Sequence, residues 1–291
     1  MESGQATVLS KTATIFRMIK FEHSVFALPF AYMGAMLAAG GLPTFWQVFW
    51  ITVAMVGARS LAMGLNRLID RKIDIRNPRT KNRALPKKLL SEKDVVIFNL
   101  ISLAVFLIAV YSLAPLCRWL WPFFVLPFVI YPYTKRFTWL CHLFLGICLG
   151  LAPVGAWIAI TNTISFEPIL LGFAVCFWVA GFDIIYACQD VEIDREQKLY
   201  SIPTIFGVKK ALRATGIFHV LSVGLFLFLG ILTNLGPIYF GGLMIVSLLL
   251  LRENRLVSPN DFSKLNTAFF TMNGVISVIM LVFTLMGFMV E

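Results

Sequence analysis

Two short runs of oxygen-bearing side chains carry the chemistry open to this sequence. In Asn66-Arg67-Leu68-Ile69-Asp70-Arg71-Lys72-Ile73-Asp74, an amide and two carboxylates recur at i, i+4 and i+8. That spacing puts three oxygen ligands on one face of a helix. The second run holds Asp183, Tyr186, Asp190 and Asp194, and its last three members repeat the same spacing. Carboxylates this close repel one another unless a positive charge lies between them. Hard oxygen donors with no His or Cys beside them suit Mg²⁺, which takes one or two carboxylates and bridges to substrate phosphates. Two facing pairs would hold such ions around a diphosphate and stabilise charge developing on a phosphate leaving group. The competing expectation is an ordinary charged helix end, with Arg67, Arg71 and Lys72 pairing with the acids. Two runs of matching spacing, in a chain with fifteen acids, favour the metal reading.

Cations crowd the first run, in the string RNPRTKNRALPKK. Most of them serve topology and attraction to anionic lipid. Arg79 and Arg83 are the candidates for phosphate contact. Lys135, within Tyr131-Pro132-Tyr133-Thr134-Lys135-Arg136, is a third candidate, a compact point charge for a diphosphate. Arg59 lies seven residues before Asn66, on nearly the same helix face. A cation inside a membrane span is costly unless paired, so Arg59 is expected to meet Asp183 or the carboxylate of a bound acceptor.

The elements that position these residues are read from composition. The chain is 59% hydrophobic and 14% charged across 291 residues, against about 45–50% and about 25% in soluble domains. Its solvent must largely be lipid. Nine apolar segments are candidates to span a bilayer: roughly 22–40, 44–66, 94–114, 118–134, 138–160, 167–187, 211–233, 236–252 and 266–289. Residues 1–20 are mixed polar and no small-residue cleavage site follows the first apolar stretch, so that stretch is expected to be a retained helix.

Lys and Arg divide sharply between the loops. The N-terminal tail and even-numbered loops hold 23, the odd-numbered loops and C-terminus only Arg118, and Arg59 lies within the second segment. This predicts a cytoplasmic N-terminus, with both acidic runs at the cytoplasmic side of an inner membrane. The same confinement of basic residues to short loops argues against nucleic acid as the partner of a chain with formal charge +10. Asp190 and Asp194 follow Asp70 and Asp74 by 120 residues, which suggests one membrane domain built of two helical halves, about 1–137 and 138–291.

The five cysteines form no C-x-x-C pair and are expected to be packing residues. His23, His142 and His219 are scattered and are expected in packing or interfacial roles. Phe173, Phe177, Trp178 and Phe182 along the sixth segment would either pack between helices or line a tunnel and stabilise a carbocation.

The strings NRLIDRKID and DIIYACQDVEID resemble the two Asp-rich motifs of the UbiA-type membrane prenyltransferases, N-x-x-x-D-x-x-x-D and D-x-x-Y-x-x-x-D-x-x-x-D. YPYTKR is similar to the Tyr-Pro…Lys-Arg stretch after that family's fourth helix. The resemblance implies an all-α membrane fold around a central cavity open sideways to lipid. It implies that Asn66, Asp70, Asp74, Asp190 and Asp194 hold Mg²⁺ and the diphosphate, the four aspartates forming the catalytic set. Lys135 and Arg79 or Arg83 would neutralise diphosphate oxygens, and Asp183 and Tyr186 would line the acceptor side. The implied substrates are a polyprenyl diphosphate and an aromatic acid, foremost 4-hydroxybenzoate on the route to ubiquinone. Arg79-Thr80-Lys81-Asn82-Arg83 matches the family's usual continuation, but Ala84-Leu85-Pro86-Lys87 departs from it. That stretch is more similar to a branch with members on a menaquinone route through futalosine, which makes a naphthoate the alternative acceptor.

From a different class, a cation transporter would also carry membrane acids in two related halves. Transport sites usually lie near the bilayer midplane, whereas these acids gather at one surface beside phosphate-suited cations. An assembly subunit with a dead site is disfavoured by two intact runs.

Overall fold

The structure, a computed structural model, describes residues 2–19 and 27–289. Lys20, His23 and the start of the first expected span lie outside the described residues. Within them the chain is helical, with no β-strand and only an isolated bridge between Ser258 and Asp261. The helices are α1 (Glu2–Ile19), α2 (Leu28–Ala39), α3 (Phe45–Ile69), α4 (Arg71–Arg76), α5 (Glu92–Tyr111), α6 (Pro115–Thr134) and α7 (Cys141–Thr161). They continue as α8 (Phe166–Ala187), α9 (Val191–Glu196), α10 (Ile202–Phe206), α11 (Val208–Leu232), α12 (Pro237–Leu256) and α13 (Asn273–Met289).

Local chemistry sets several boundaries. Thr44 and Ser91 start α3 and α5 with reciprocal capping boxes to Gln47 and Asp94. Pro stands in the first turn of α2, α6 and α12, where its missing N–H costs nothing. Asn162 ends α7 in the left-handed conformation and accepts a bond from the Leu116 N–H, tying α7 to the start of α6. The helix α1 falls in a stretch read from sequence only as a mixed polar tail. Its Met18 and Ile19 bury against Ala84, Leu85, Leu90 and Val95, so it lies over the loop that follows α4.

Each expected apolar segment coincides with a helix among the described residues. Six stretches are long and apolar enough to cross a membrane: Phe45–Ile69, Glu92–Tyr111, Cys141–Thr161, Phe166–Glu196, Val208–Leu232 and Thr267–Phe288. The other three fall short for identifiable reasons. The described part of α2 has twelve residues. α6 carries Arg118 and three internal prolines, and the last turns of α12 carry Arg252-Glu253-Asn254-Arg255. The outward faces are apolar: Phe45, Trp119, Phe123 and Val220 are all well exposed. Surface of that kind belongs against lipid, and the chain is an integral membrane protein.

The main core joins Phe30 and Met33 of α2, Trp178 and Phe182 of α8, Phe226 and Leu229 of α11, Tyr239 and Val246 of α12, and Ile276 and Met280 of α13. Close backbone approach fixes α7 against its neighbours. A Cβ on Gly34 would lie 2.4 Å from the Pro153 carbonyl oxygen, and one on Gly150 would lie 2.3 Å from that of Gly172. Among the described residues no cysteine forms a disulfide. Cys176 and Cys188 pack in the interior, while Cys117, Cys141 and Cys148 line the cavity described next.

Candidate active site

A cavity of about 440 Å³ opens between α3, α5, α6, α7 and α8. That is within the usual range for ligand sites. All eleven residues singled out from sequence line it: Arg59, Asn66, Asp70, Asp74, Arg79, Arg83, Lys135, Asp183, Tyr186, Asp190 and Asp194. The polar groups gather where α3, α6 and α8 end, and the walls beyond are apolar, with Phe106, Phe124, Phe128 and Trp121 among them.

The first run does not sit on one unbroken helix. α3 stops at Ile69, Asp70 is its C-cap, and α4 begins at Arg71. The i+4 backbone bonds nevertheless continue through the joint, from Asp70 N–H to the Asn66 oxygen at 3.0 Å and from Asp74 N–H to the Asp70 oxygen at 2.8 Å. The three ligand-type residues therefore keep their common face. The second run is broken likewise: Asp183 and Tyr186 belong to α8, Asp190 ends a 3-10 turn, and Asp194 lies on α9.

Three carboxylates hold four cations. Lys135 Nζ donates to Asp70 Oδ2 at 2.6 Å, with Arg136 Nη2 reaching Asp70 Oδ1 at 3.4 Å. Arg83 Nη1 donates to both Asp74 oxygens at 2.8 Å. Arg79 grips Asp190 with Nη2 at 2.6 Å and Nε at 3.0 Å, and its Nη1 donates to Tyr186 Oη at 3.0 Å. Asn66 Nδ2 donates to Asp70 Oδ2 at 3.0 Å. These contacts correct the expectation for two neighbours. Arg71 pairs with Glu92 instead of a cluster acid, and buried Arg67 donates to Asn66 Oδ1 and the Met18 carbonyl.

Burial pushes the Asp70 carboxyl above the ordinary carboxylate range, and the Lys135 charge and hydrogen bond offset this only in part. For Arg79, burial pulls the guanidinium down, but its hydrogen bond and charge pairing with Asp190 outweigh that and leave it raised. Arg79 stays charged either way.

Some participants escaped the sequence reading. Asn77 lines the cavity, donates through Nδ2 to Asp190 Oδ1 at 3.1 Å, and accepts the Arg79 backbone N–H through Oδ1 at 2.9 Å. Its Asn-Pro turn directly after the first acidic run was the available signal. His142, expected in a packing or interfacial role, lines the cavity with its Nδ1 2.7 Å from Asp183 Oδ2. Of Phe173, Phe177, Trp178 and Phe182, only Phe182 lines the cavity. Trp178 is in the core, Phe177 meets Phe218, and Phe173 points outward.

Among the described residues, no three His, Cys, Asp or Glu side chains are grouped closely enough to form an all-protein metal cage. Mg²⁺ rarely needs one, since water and substrate phosphate complete its shell. The donor set here is oxygen from one amide and several carboxylates, which fits that ion.

The family model described as the UbiA prenyltransferase family matches residues 27–275. A 4-hydroxybenzoate solanesyltransferase of Synechocystis sp. is 32% identical over 254 residues, covering 87% of each chain. A 4-hydroxybenzoate octaprenyltransferase of Vibrio atlanticus is 29% identical over 225 residues, covering 77% of this chain and 79% of its own. Among solved structures, the apo UbiA homologue of Aeropyrum pernix K1 superposes with a TM-score of 0.81 at 31% identity, covering 89% of this chain and 95% of its own. The Archaeoglobus fulgidus homologue solved with DMAPP and Mg²⁺ shares the fold, with a TM-score of 0.73 at 17% identity over 96% of this chain and 100% of its own.

Proposed function

The chain belongs to the UbiA prenyltransferase family and is a prenyl-transferring membrane enzyme, and from that premise we propose that it moves a polyprenyl group from its diphosphate to an aromatic acid, foremost 4-hydroxybenzoate, in quinone biosynthesis. The observation that carries this reading is the bridge between the two acidic runs. Asn77 and Arg79, from the loop after α4, both bond to Asp190, at the mouth of the cavity that Asp70 and Asp74 also line. The names of the Synechocystis and Vibrio relatives support 4-hydroxybenzoate as acceptor.

In the proposed site Asn66, Asp70, Asp74, Asp190 and Asp194 would hold Mg²⁺, a reading supported by the DMAPP and Mg²⁺ complex of the Archaeoglobus relative. The ion when bound supplies Lewis-acid neutralisation of the leaving diphosphate. Lys135, Arg79 and Arg83 turn toward the diphosphate oxygens and stabilise their charge as the allylic C–O bond breaks. The apolar walls keep water from the allylic cation until an aromatic carbon attacks it, and the ring then loses the proton from that carbon. Asp183 and Tyr186 orient the acceptor ring, and Arg59 pairs with the acceptor's carboxylate. The prenyl tail stays in the apolar cavity and the lipid beside it.

The proposed topology has nine crossings of the inner membrane, with α2, α6 and α12 completing the six longer apolar stretches. The N-terminus and the active-site mouth face the cytoplasm, as the Lys and Arg distribution indicates. The two helical halves, about 1–137 and 138–291, enclose the cavity between them as one domain.

A second acceptor, a naphthoate, is favoured by the departure at Ala84-Leu85-Pro86-Lys87. Both acceptors are tested together. Membranes containing the protein are incubated with Mg²⁺, a long-chain prenyl diphosphate and a panel of aromatic acids, and products are weighed by mass spectrometry. The expected product is the acid plus one prenyl group less one proton. An adduct with naphthoate alone moves the assignment to the second acceptor, and no adduct with any acid overturns the proposal.

A further inference from the structure

A buried polar group far along the chain from both acidic runs remains unexplained by that reaction. Glu253, on α12, and Asn273, at the start of α13, are both fully buried. Asn273 Nδ2 lies 2.9 Å from Glu253 Oε1, 3.0 Å from the Ala268 carbonyl oxygen and 3.1 Å from that of Phe269. Ala268 and Phe269 belong to a π-helical turn over Thr267–Met272. Such turns disturb the regular helical ladder and are frequent at functional sites. The Asn273 amide satisfies two carbonyls of the disturbed turn, and the Glu253 carboxyl group holds that amide in place.

The turn presents two rings to the cavity, Phe269 and Phe270. The Phe269 ring centre is 4.2 Å from that of Tyr186 and 5.3 Å from that of Phe182. Tyr186 in turn accepts the Arg79 hydrogen bond at 3.0 Å, and Arg79 grips Asp190. A continuous set of contacts thus runs from Glu253 to the polar mouth.

We infer that Glu253 and Asn273 are positioning residues: they fix the π-helical turn so that Phe269 presses Tyr186 into place and closes the aromatic wall of the acceptor pocket. This rests on the proposed function only in naming the acceptor side as the part affected. A regular α-helical turn here would rotate Phe269 and Phe270 relative to Tyr186, because a π turn takes up about one more residue of the same sequence than an α turn does. The pair itself touches no substrate.

The test uses Glu253→Leu, Glu253→Gln, Asn273→Leu and Phe269→Leu in full-length protein reconstituted in nanodiscs. Glu253→Leu and Asn273→Leu are expected to raise KM for the aromatic acid roughly tenfold while leaving KM for the prenyl diphosphate within about twofold. Glu253→Gln keeps an oxygen that accepts from Asn273, so it should stay near wild type. Phe269→Leu should reproduce the KM change without disturbing any buried polar group, which covers the case that the α12 and α13 variants do not fold. Amide hydrogen exchange over residues 267–273 should be faster in Glu253→Leu and Asn273→Leu, but not in Glu253→Gln. A purely structural anchor would lower the yield of folded protein without shifting acceptor KM, and that outcome overturns the inference. If wild type prenylates no aromatic acid, the proposed function fails, and exchange decides the inference alone: unchanged exchange over 267–273 overturns it.

Discussion

Lys135 Nζ lies 2.6 Å from Asp70 Oδ2 and joins the end of α6 to the cap of α3 across 65 residues of chain. Arg83 with Asp74 and Arg79 with Asp190 repeat the arrangement. The cations proposed for the diphosphate are thus partnered with the carboxylates proposed for Mg²⁺. An unpaired buried charge is costly. On the proposed function, arrival of a diphosphate together with its cation would exchange partners on both sides and leave no charge uncompensated.

Removing Lys135 therefore acts on both substrate and scaffold. Lys135→Ala should raise KM for the prenyl diphosphate by roughly tenfold to a hundredfold, the loss expected for one charge-assisted hydrogen bond. It should also lower the thermal stability of the protein, because Asp70 loses a partner while only 2% exposed. Steady-state kinetics at saturating acceptor checks the first effect; an unchanged KM removes Lys135 from the diphosphate site.

Asp70→Asn and Asp190→Asn keep size and hydrogen-bonding capacity but discard charge. Each should reduce kcat/KM by at least about a hundredfold if the lost charge supports the metal and the leaving group. Circular dichroism should show unchanged helix content, so the loss is not one of folding. Turnover within about threefold of wild type in either variant contradicts the assigned role.

Chelation should abolish transfer, and added Mg²⁺ should restore it more fully than Ca²⁺, whose larger and looser coordination shell fits a compact two-carboxylate site less well. The check is product formation in chelator-treated membranes titrated with each ion. Activity that survives exhaustive chelation rules out a metal role for the oxygen cluster.

Gly34→Leu tests the scaffold. A side chain there meets the Pro153 backbone, with no flexible group to move aside. Overpacking of this kind costs about 1–3 kcal/mol and should lower the apparent Tm in detergent. Gly224→Ala is the control, since nothing lies within 4 Å of the added carbon. Equal melting of the two variants places no tight contact between α2 and α7.

Much of this molecule is written locally. Membrane residence follows from apolar runs that no aqueous fold can hide, and helix positions follow from those runs with their Pro, Thr and Ser boundary signals. The i, i+4, i+8 spacing around Asp70 survives a break between α3 and α4, because the backbone bonds from Asp70 to Asn66 and from Asp74 to Asp70 persist. The eleven chosen residues line one cavity; acid spacing, adjacent cations, a cation within a span and the resemblance of the two Asp-rich strings marked them, and each is legible within a few turns of chain.

Pairings across the bundle are another matter. Which cation meets which acid depends on how helices separated by dozens of residues pack. Arg71 turned to Glu92, Arg79 crossed to Asp190, and His142 met Asp183, though none of these partners is near in sequence. The π-helical turn at 267–272 was hidden for the same reason. Asn273, which bonds the turn's carbonyls, is itself bonded by Glu253 from another helix, and no local pattern in Thr267–Met272 reports that contact. Hydrophobicity and helical period act along the chain and can be read there; charge pairing and buried polar contacts act through space, so only the folded arrangement decided them.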